Sequence, residues 1–107
     1  MQLPALSFEF FPPKTEEGRL KLSTTRKRLL AAKPEYFSVT FGAGGSTREG
    51  TLQTVADIHA EGHIVAPHIS CIGATRDSIR QLLETYHSLG IRKLVALRGD
   101  LPSGYGA

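Results

Sequence analysis

Strand-like and helix-like segments alternate along the whole chain, and this alternation constrains the fold more than any other feature of the sequence. Four short apolar segments are predicted as strands: Ala5–Phe11, Tyr36–Phe41, Ile64–Ser70 and Lys93–Leu97. A segment with helical spacing or capping signals follows each of the first three strands. Strands that alternate with amphipathic helices pair in parallel through right-handed crossovers. The sequence therefore predicts an α/β fold of order βαβαβαβ with parallel strands.

Capping residues mark where the three predicted helices begin, and glycine or proline marks where they end. The predicted starts are Thr15, the capping-box pair Ser46 and Glu49, and either Thr75 or Asp77. The predicted ends are Ala32 before Lys33-Pro34, Gly62, and Gly90. The third helix has the clearest apolar periodicity, which indicates one face packed against a sheet.

Two architectures fit this order of elements, a small doubly wound sheet or the first half of a (β/α)8 TIM barrel. The chain has 107 residues, whereas a complete barrel needs about 250. No helix follows the last predicted strand, although a doubly wound domain usually ends on a helix that covers its sheet. We therefore expect residues 1–107 to form an incomplete barrel, with no second domain.

Polar side chains lie near or just after the carboxyl ends of all four predicted strands: Glu9, Thr40, His68, and Arg98 with Asp100. In parallel α/β folds, ligands and catalytic groups gather at these strand ends. Four consecutive strands that bring polar groups to the same rim indicate an enzyme.

Glu9 and His68 are the two titratable candidates within the strands. Glu9 stands among aromatic residues, and a low-polarity environment favours the neutral form of a carboxylic acid, which suits it to donate a proton. Alternatively, Glu9 is a strand-end carboxylate in water or paired with a lysine. His68 can bind a cofactor or act as an acid or base, or it can be a buried histidine with a structural role.

Composition and charge exclude several other classes of protein. Hydrophobic residues make up 40% and charged residues 21%, as in ordinary globular domains. No apolar run approaches the roughly 20 residues of a membrane span, no signal peptide is recognisable, and Cys71 is the only cysteine. The net charge of +3 is small, and the run Arg26-Lys27-Arg28 is interpreted as a solvated helix face. We expect a cytoplasmic protein without a metal site, a nucleic-acid partner or a membrane partner.

Four segments resemble motifs of the methylenetetrahydrofolate reductase family, in the same order along the chain. They are Ser7-Phe8-Glu9-Phe10-Phe11-Pro12-Pro13-Lys14, Phe37-Ser38-Val39-Thr40-Phe41-Gly42-Ala43-Gly44-Gly45-Ser46-Thr47, Ala66-Pro67-His68-Ile69-Ser70-Cys71 and Leu97-Arg98-Gly99-Asp100-Leu101-Pro102. The resemblance implies a (β/α)8 barrel that binds FAD without a Rossmann motif. It also implies that NADH or NADPH reduces the flavin, which then reduces 5,10-methylenetetrahydrofolate to 5-methyltetrahydrofolate for methionine synthesis in one-carbon metabolism.

The resemblance also implies a role for each matched residue. Glu9 matches the acid that protonates the bridging nitrogen of the folate, and Thr40 matches a contact to the nicotinamide nucleotide. The positions that match FAD-binding residues are Phe41, Ala43, His68, Arg98, Gly99 and Asp100, and Asp100 would also contact the folate substrate. The full-length protein is expected to be a homo-oligomer, and the 107-residue chain alone is expected to be inactive.

Other functions remain open at this point. One alternative is a different TIM-barrel enzyme, or a small α/β domain, that binds a phosphorylated ligand through the glycine-rich loop after the second strand. Another is a non-catalytic adhesion module built around Arg98-Gly99-Asp100, which would not explain Glu9, Thr40 and His68 at the other strand ends.

Overall fold

The structure is a computed structural model that describes residues 4–41, 48–71 and 74–98. Its strands are β1 (Ser7–Phe10), β2 (Tyr36–Val39), β3 (Val65–Ser70) and β4 (Val95–Leu97). Its helices are α1 (Glu16–Leu29), α2 (Arg48–Ala60) and α3 (Arg76–Ser88), and a short 3-10 helix, Leu30–Ala32, continues α1. The predicted βαβαβαβ order is confirmed. Among the described residues, no helix is long and apolar enough to cross a membrane.

The four strands form one parallel sheet in the order β1-β2-β3-β4. Every strand therefore lies beside the strand that precedes it in the chain, as in a (β/α)8 barrel. A doubly wound sheet instead reverses its strand order at a switch point, and the described sheet contains no reversal. The prediction of a barrel-type sheet is confirmed, and the doubly wound alternative is wrong.

The element boundaries follow local capping chemistry. Oγ1 of Thr15 accepts a hydrogen bond from the backbone N–H of Gly18 at 3.0 Å and so caps α1. Thr75, rather than Asp77, caps α3, and its side chain and that of Ser78 form a reciprocal capping box. The prediction that Ser46 helps to cap α2 lies outside the described residues.

The predicted helix ends at Gly62 and Gly90 are confirmed, whereas the predicted strand lengths need small corrections. Gly62 and Gly90 follow α2 and α3 with φ of 90°, a left-handed conformation that glycine adopts without a Cβ clash. All four strands are shorter than predicted, and β4 keeps only Val95–Leu97. Flanking apolar residues such as Leu94 continue the hydrophobic pattern but lie outside the hydrogen-bonded ladder, so pattern alone overestimates strand length.

The apolar core lies between one face of the sheet and the helices. Phe37, Val39 and Val65 of the strands are at most 2% exposed and pack in the same cluster as Val55 and Ile58 of α2. The cluster also includes Phe10, Ile69, Leu82, Tyr86 and Ile91. Since neighbouring side chains of a strand point to opposite faces, burying this set on the helix side leaves the intervening residues for the other face.

Helix α1 is joined to α2 mainly by charged groups. Arg19 binds Asp57 through two hydrogen bonds of 2.7 and 2.8 Å, and Arg26 binds Glu61 through two of 3.0 and 2.7 Å. The side chain of Arg26 is only 4% exposed. The interpretation of Arg26-Lys27-Arg28 as a solvated face is therefore wrong for Arg26, although Lys27 and Arg28 are exposed.

Candidate functional site

The sheet face that points away from the helices carries the polar strand residues. Glu9 of β1 is in register with Ser38 of β2, which is in register with Ala66 of β3. Residues two positions further along a strand point to the same side, so Thr40 and His68 share this face. We call Glu9, Ser38, Thr40, His68 and Ser70 the polar face. It lies toward the carboxyl ends of the first three strands, where the sequence predicts the site.

Glu9 and His68 meet on the polar face. Nε2 of His68 lies 3.3 Å from Oε1 of Glu9, across the intervening strand β2. The His68 side chain is 9% exposed, whereas that of Glu9 is 56% exposed. The pair therefore joins an anchored imidazole to a carboxyl group that a ligand can reach.

The expectation that aromatic neighbours bury Glu9 is wrong. Phe8 and Phe10 point to the opposite face of β1, where their rings lie 6.4 and 5.4 Å from that of Phe37. Alternation along the strand thus separates the carboxyl group from both rings. The alternative of a strand-end carboxylate in water agrees with the 56% exposure of Glu9, and the titratable side chain in contact with it among the described residues is His68 rather than a lysine.

Thr40 is held in place by its backbone. Its N–H donates to the carbonyl oxygen of Phe10 at 2.9 Å, and its carbonyl oxygen accepts from Oγ1 of Thr51 at 2.9 Å. Thr40 itself is 8% exposed and Thr51 is fully buried. These bonds connect the end of β2 to both β1 and α2, so the position of Thr40 is set by two neighbouring elements.

Two hydroxyl groups of the polar face have no hydrogen-bond partner among the described residues. They are Oγ1 of Thr40 and Oγ of Ser70, both inaccessible to solvent. Buried hydroxyl groups in folded proteins are nearly always hydrogen-bonded, and an unsatisfied group calls for a ligand, a water or another explanation. Both hydroxyls lie on the same face as His68, so their partners are to be sought on that face.

The remaining predicted site residues are placed differently. Phe41 is partly buried and packs against the apolar core. Arg98 directly follows β4 and is exposed, with no hydrogen bond or ion pair to another described residue. Ala43, Gly99 and Asp100 lie outside the described residues.

Three residues of the site were not predicted from the sequence. Ser38 and Ser70 belong to the polar face, and the alternation that places Thr40 and His68 there could have identified them. Thr51 supports Thr40 from α2, a contact across 11 residues of sequence for which no local pattern gives a signal. A cavity of about 1180 Å³ lies along α3 and does not include Glu9, Thr40 or His68.

Comparison with known proteins identifies close relatives. A family model described as methylenetetrahydrofolate reductase matches residues 2–106. The chain is 46% identical over 102 residues to the 5,10-methylenetetrahydrofolate reductase of Salmonella typhimurium strain LT2, and 45% identical over 102 residues to that of Escherichia coli strain K12. Both alignments cover 94% of this chain and 34% of the relative.

A plant protein is similar over the same part of the chain. Methylenetetrahydrofolate reductase (NADH) 1 of Arabidopsis thaliana is 41% identical over 104 residues, which are 94% of this chain and 17% of the plant protein. The chain thus spans about a third of the length of the bacterial relatives and a smaller share of the plant relative.

Proposed function

The chain belongs to the methylenetetrahydrofolate reductase family, and we propose that the whole protein uses FAD to reduce 5,10-methylenetetrahydrofolate to 5-methyltetrahydrofolate. NADH or NADPH is the proposed electron donor, and the product would feed methionine synthesis. The observation that carries the proposal is the contact between His68 and Glu9 on a polar face at the strand ends, within motifs that match the family.

Glu9 is the proposed acid. Its carboxyl group is 56% exposed on the polar face, so a folate lying over this face could receive its proton. Protonation of the bridging nitrogen would open the five-membered ring of the folate, and the proton leaves an oxygen of Glu9 for that nitrogen. A positioned acid contributes about 10²- to 10⁴-fold to the rate of such a step.

The polar face also supports the proposed cofactor. FAD, when bound, would carry the hydride from the nicotinamide to the folate. Thr40 and His68 would contact the cofactor and the nicotinamide nucleotide through the polar face, and the unpaired hydroxyl of Thr40 supports this role. Phe41, Ala43, Arg98, Gly99 and Asp100 complete the proposed cofactor site by their match to the family motifs, and Asp100 would also contact the folate.

The assembly around this chain is part of the proposal. Residues 1–107 are proposed to be the first half of the catalytic barrel, since the sheet has the sequential strand order of a barrel. The whole protein is proposed to be a cytoplasmic homo-oligomer, as its resemblance to this family implies.

Replacing Glu9 by Gln in the whole protein tests the proposed function. The purified protein should be yellow, and oxidation of NADH or NADPH by its flavin should be much less affected than reduction of the folate, which needs the acid. Both half-reactions are measured separately by stopped-flow flavin absorbance. Glu35→Gln, at an exposed glutamate before β2, is the control and should leave both rates close to those of the unmodified protein.

Two outcomes would contradict the proposal. A flavin-free protein that reduces no folate would favour another barrel enzyme. Equal loss of both half-reactions in Glu9→Gln would show that Glu9 is not the specific acid.

A further inference from the structure

We propose that His68 is a positioning residue that holds the carboxyl group of Glu9 for proton transfer. The inference rests on the proposed function and extends it, because it gives His68 a task separate from contact with the cofactor. It is carried by the 3.3 Å separation between Nε2 of His68 and Oε1 of Glu9 and by the unequal burial of the two side chains.

Glu9 needs a partner to be held in one orientation. A half-exposed glutamate has three rotatable side-chain bonds, and fixing such a side chain costs conformational entropy. Ser38 lies beside Glu9 in the sheet, and its small side chain leaves room for the carboxyl group to reach β3. Among the described residues, His68 is the charged or titratable group that contacts Glu9.

His68 is suited to act as the fixed partner. Its side chain is 9% exposed, and it lies in the interior of β3, in register with Val95 of β4. A buried imidazole on a strand that is paired on both sides has little freedom to move. Contact with Oε1 therefore orients the carboxyl group and leaves Oε2 available to a bound substrate.

In this step His68 keeps its own proton and acts only as a hydrogen-bond donor. With a proton on Nε2, the imidazole donates to Oε1 while Oε2 carries the acidic proton. The O–H bond of Glu9 then breaks, an N–H bond forms on the folate, and the negative charge that develops on the carboxylate is stabilised by the same Nε2–H. Hydrogen bonds to a charged acceptor are stronger than those to a neutral one, so this contact strengthens as the proton leaves.

Three substitutions of His68 in the whole protein test the inference. His68→Gln can place an amide N–H near the position of Nε2, whereas the amide of His68→Asn is one methylene shorter and His68→Leu has no donor. The flavin content and FAD affinity of each variant are measured first, and both half-reactions are then followed at saturating FAD.

The expected result is a selective loss of folate reduction in His68→Leu and His68→Asn, and its recovery in His68→Gln. In His68→Leu and His68→Asn the rate of folate reduction should fall at least about tenfold more than the rate of flavin reduction, since general-acid catalysis is worth about 10²- to 10⁴-fold. In His68→Gln the ratio of the two rates should return to within about threefold of the original, given one restored donor. If the Leu variant does not fold, the comparison of Gln with Asn carries the test.

The inference is overturned if the two half-reactions fall in equal proportion in every variant, because His68 would then act only through the cofactor. It is also overturned if Asn and Gln give the same ratio, or if folate reduction is unchanged. An unmodified protein that binds no FAD and reduces no folate would instead remove the proposed function itself.

Discussion

Arg26 and Glu61 form a bidentate ion pair that joins α1 to the turn after α2. Nε and Nη2 of Arg26 donate to the two carboxylate oxygens at 3.0 and 2.7 Å, and the arginine side chain is 4% exposed whereas that of Glu61 is 33% exposed. Helix α1 contributes only partly buried apolar residues, Leu22 and Leu29, to the core cluster. The two arginine–carboxylate pairs, Arg19–Asp57 and Arg26–Glu61, therefore contribute to the attachment of α1 to α2.

Removal of the carboxylate should destabilise the protein because it leaves a buried guanidinium without its partner. Breaking a buried pair from one side costs about 3–5 kcal/mol, and the partial exposure of Glu61 reduces this, so Glu61→Ala should lower the free energy of unfolding by about 2 kcal/mol. Urea unfolding of the whole protein measures the change. Lys27→Ala and Arg28→Ala, in the same basic run but exposed, should change it by less than about 0.5 kcal/mol. Equal effects at all three sites would contradict the assigned role of the pair.

The Arg19–Asp57 pair predicts a contribution to acid sensitivity. The hydrogen bond from Arg19 lowers the pKa of Asp57 from its ordinary value of 3.8. A carboxyl group whose folded pKa is lowered stabilises the folded state above its unfolded pKa, and this stabilisation is lost as the pH falls through the folded value. Unfolding free energies between pH 7 and pH 3 should therefore fall less steeply below about pH 4 in Asp57→Asn than in the unmodified protein.

The exposure of the side chains decides how large this effect on acid sensitivity is and which variant serves as its control. The side chain of Arg19 is 44% exposed and that of Asp57 is 21% exposed, so solvent screening keeps the contribution of the pair to stability at pH 7 small. Glu84→Gln removes an exposed carboxylate that lies 4.0 Å from Arg80, and it should leave the acid limb nearly unchanged. An acid limb that is the same in Asp57→Asn and in the unmodified protein would contradict the prediction.

Much of the architecture could be predicted from the sequence, because it depends on local signals. Thr15 and Thr75 begin helices through their own hydroxyl groups, and Gly62 and Gly90 end them through a backbone conformation that needs no distant partner. The same alternation of apolar segments predicts the parallel order. The choice between barrel and doubly wound sheet needed the strand order itself, since both architectures share these local signals.

The candidate site was predicted less completely, because its contacts join residues far apart in the chain. Glu9 and His68 were each identified from their strands, but the two residues lie 59 positions apart in the sequence. The family motifs do not indicate that their side chains are in contact. The expected burial of Glu9 was wrong because counting aromatic neighbours along the chain ignores the face to which each points. The role of Arg26 was predicted wrongly for a related reason: its partner Glu61 lies 35 residues further along the chain, in the turn after α2.

Thr51 provides a test of how α2 supports the end of β2. Its hydroxyl donates to the carbonyl oxygen of Thr40 at 2.9 Å, and the residue is fully buried. Thr51→Val keeps nearly the same volume but leaves this carbonyl oxygen without the donor, and a buried polar group that loses its partner costs about 1–3 kcal/mol. We expect the free energy of unfolding to fall by this amount and the affinity for FAD to fall several-fold, because Thr40 and the adjoining Phe41 are part of the proposed cofactor site.

Thr54→Val is the matched control on the same helix. The hydroxyl of Thr54 donates at 3.0 Å to the carbonyl oxygen of Gly50, one turn earlier in α2, so its loss disturbs no contact between elements. Unfolding curves and flavin fluorescence titrations of both variants, in the whole protein, separate stability from binding. If Thr54→Val weakens FAD binding as much as Thr51→Val, the hydroxyl of Thr51 does not position Thr40. If Thr51→Val lowers stability alone, Thr40 does not contribute to the cofactor site through this support.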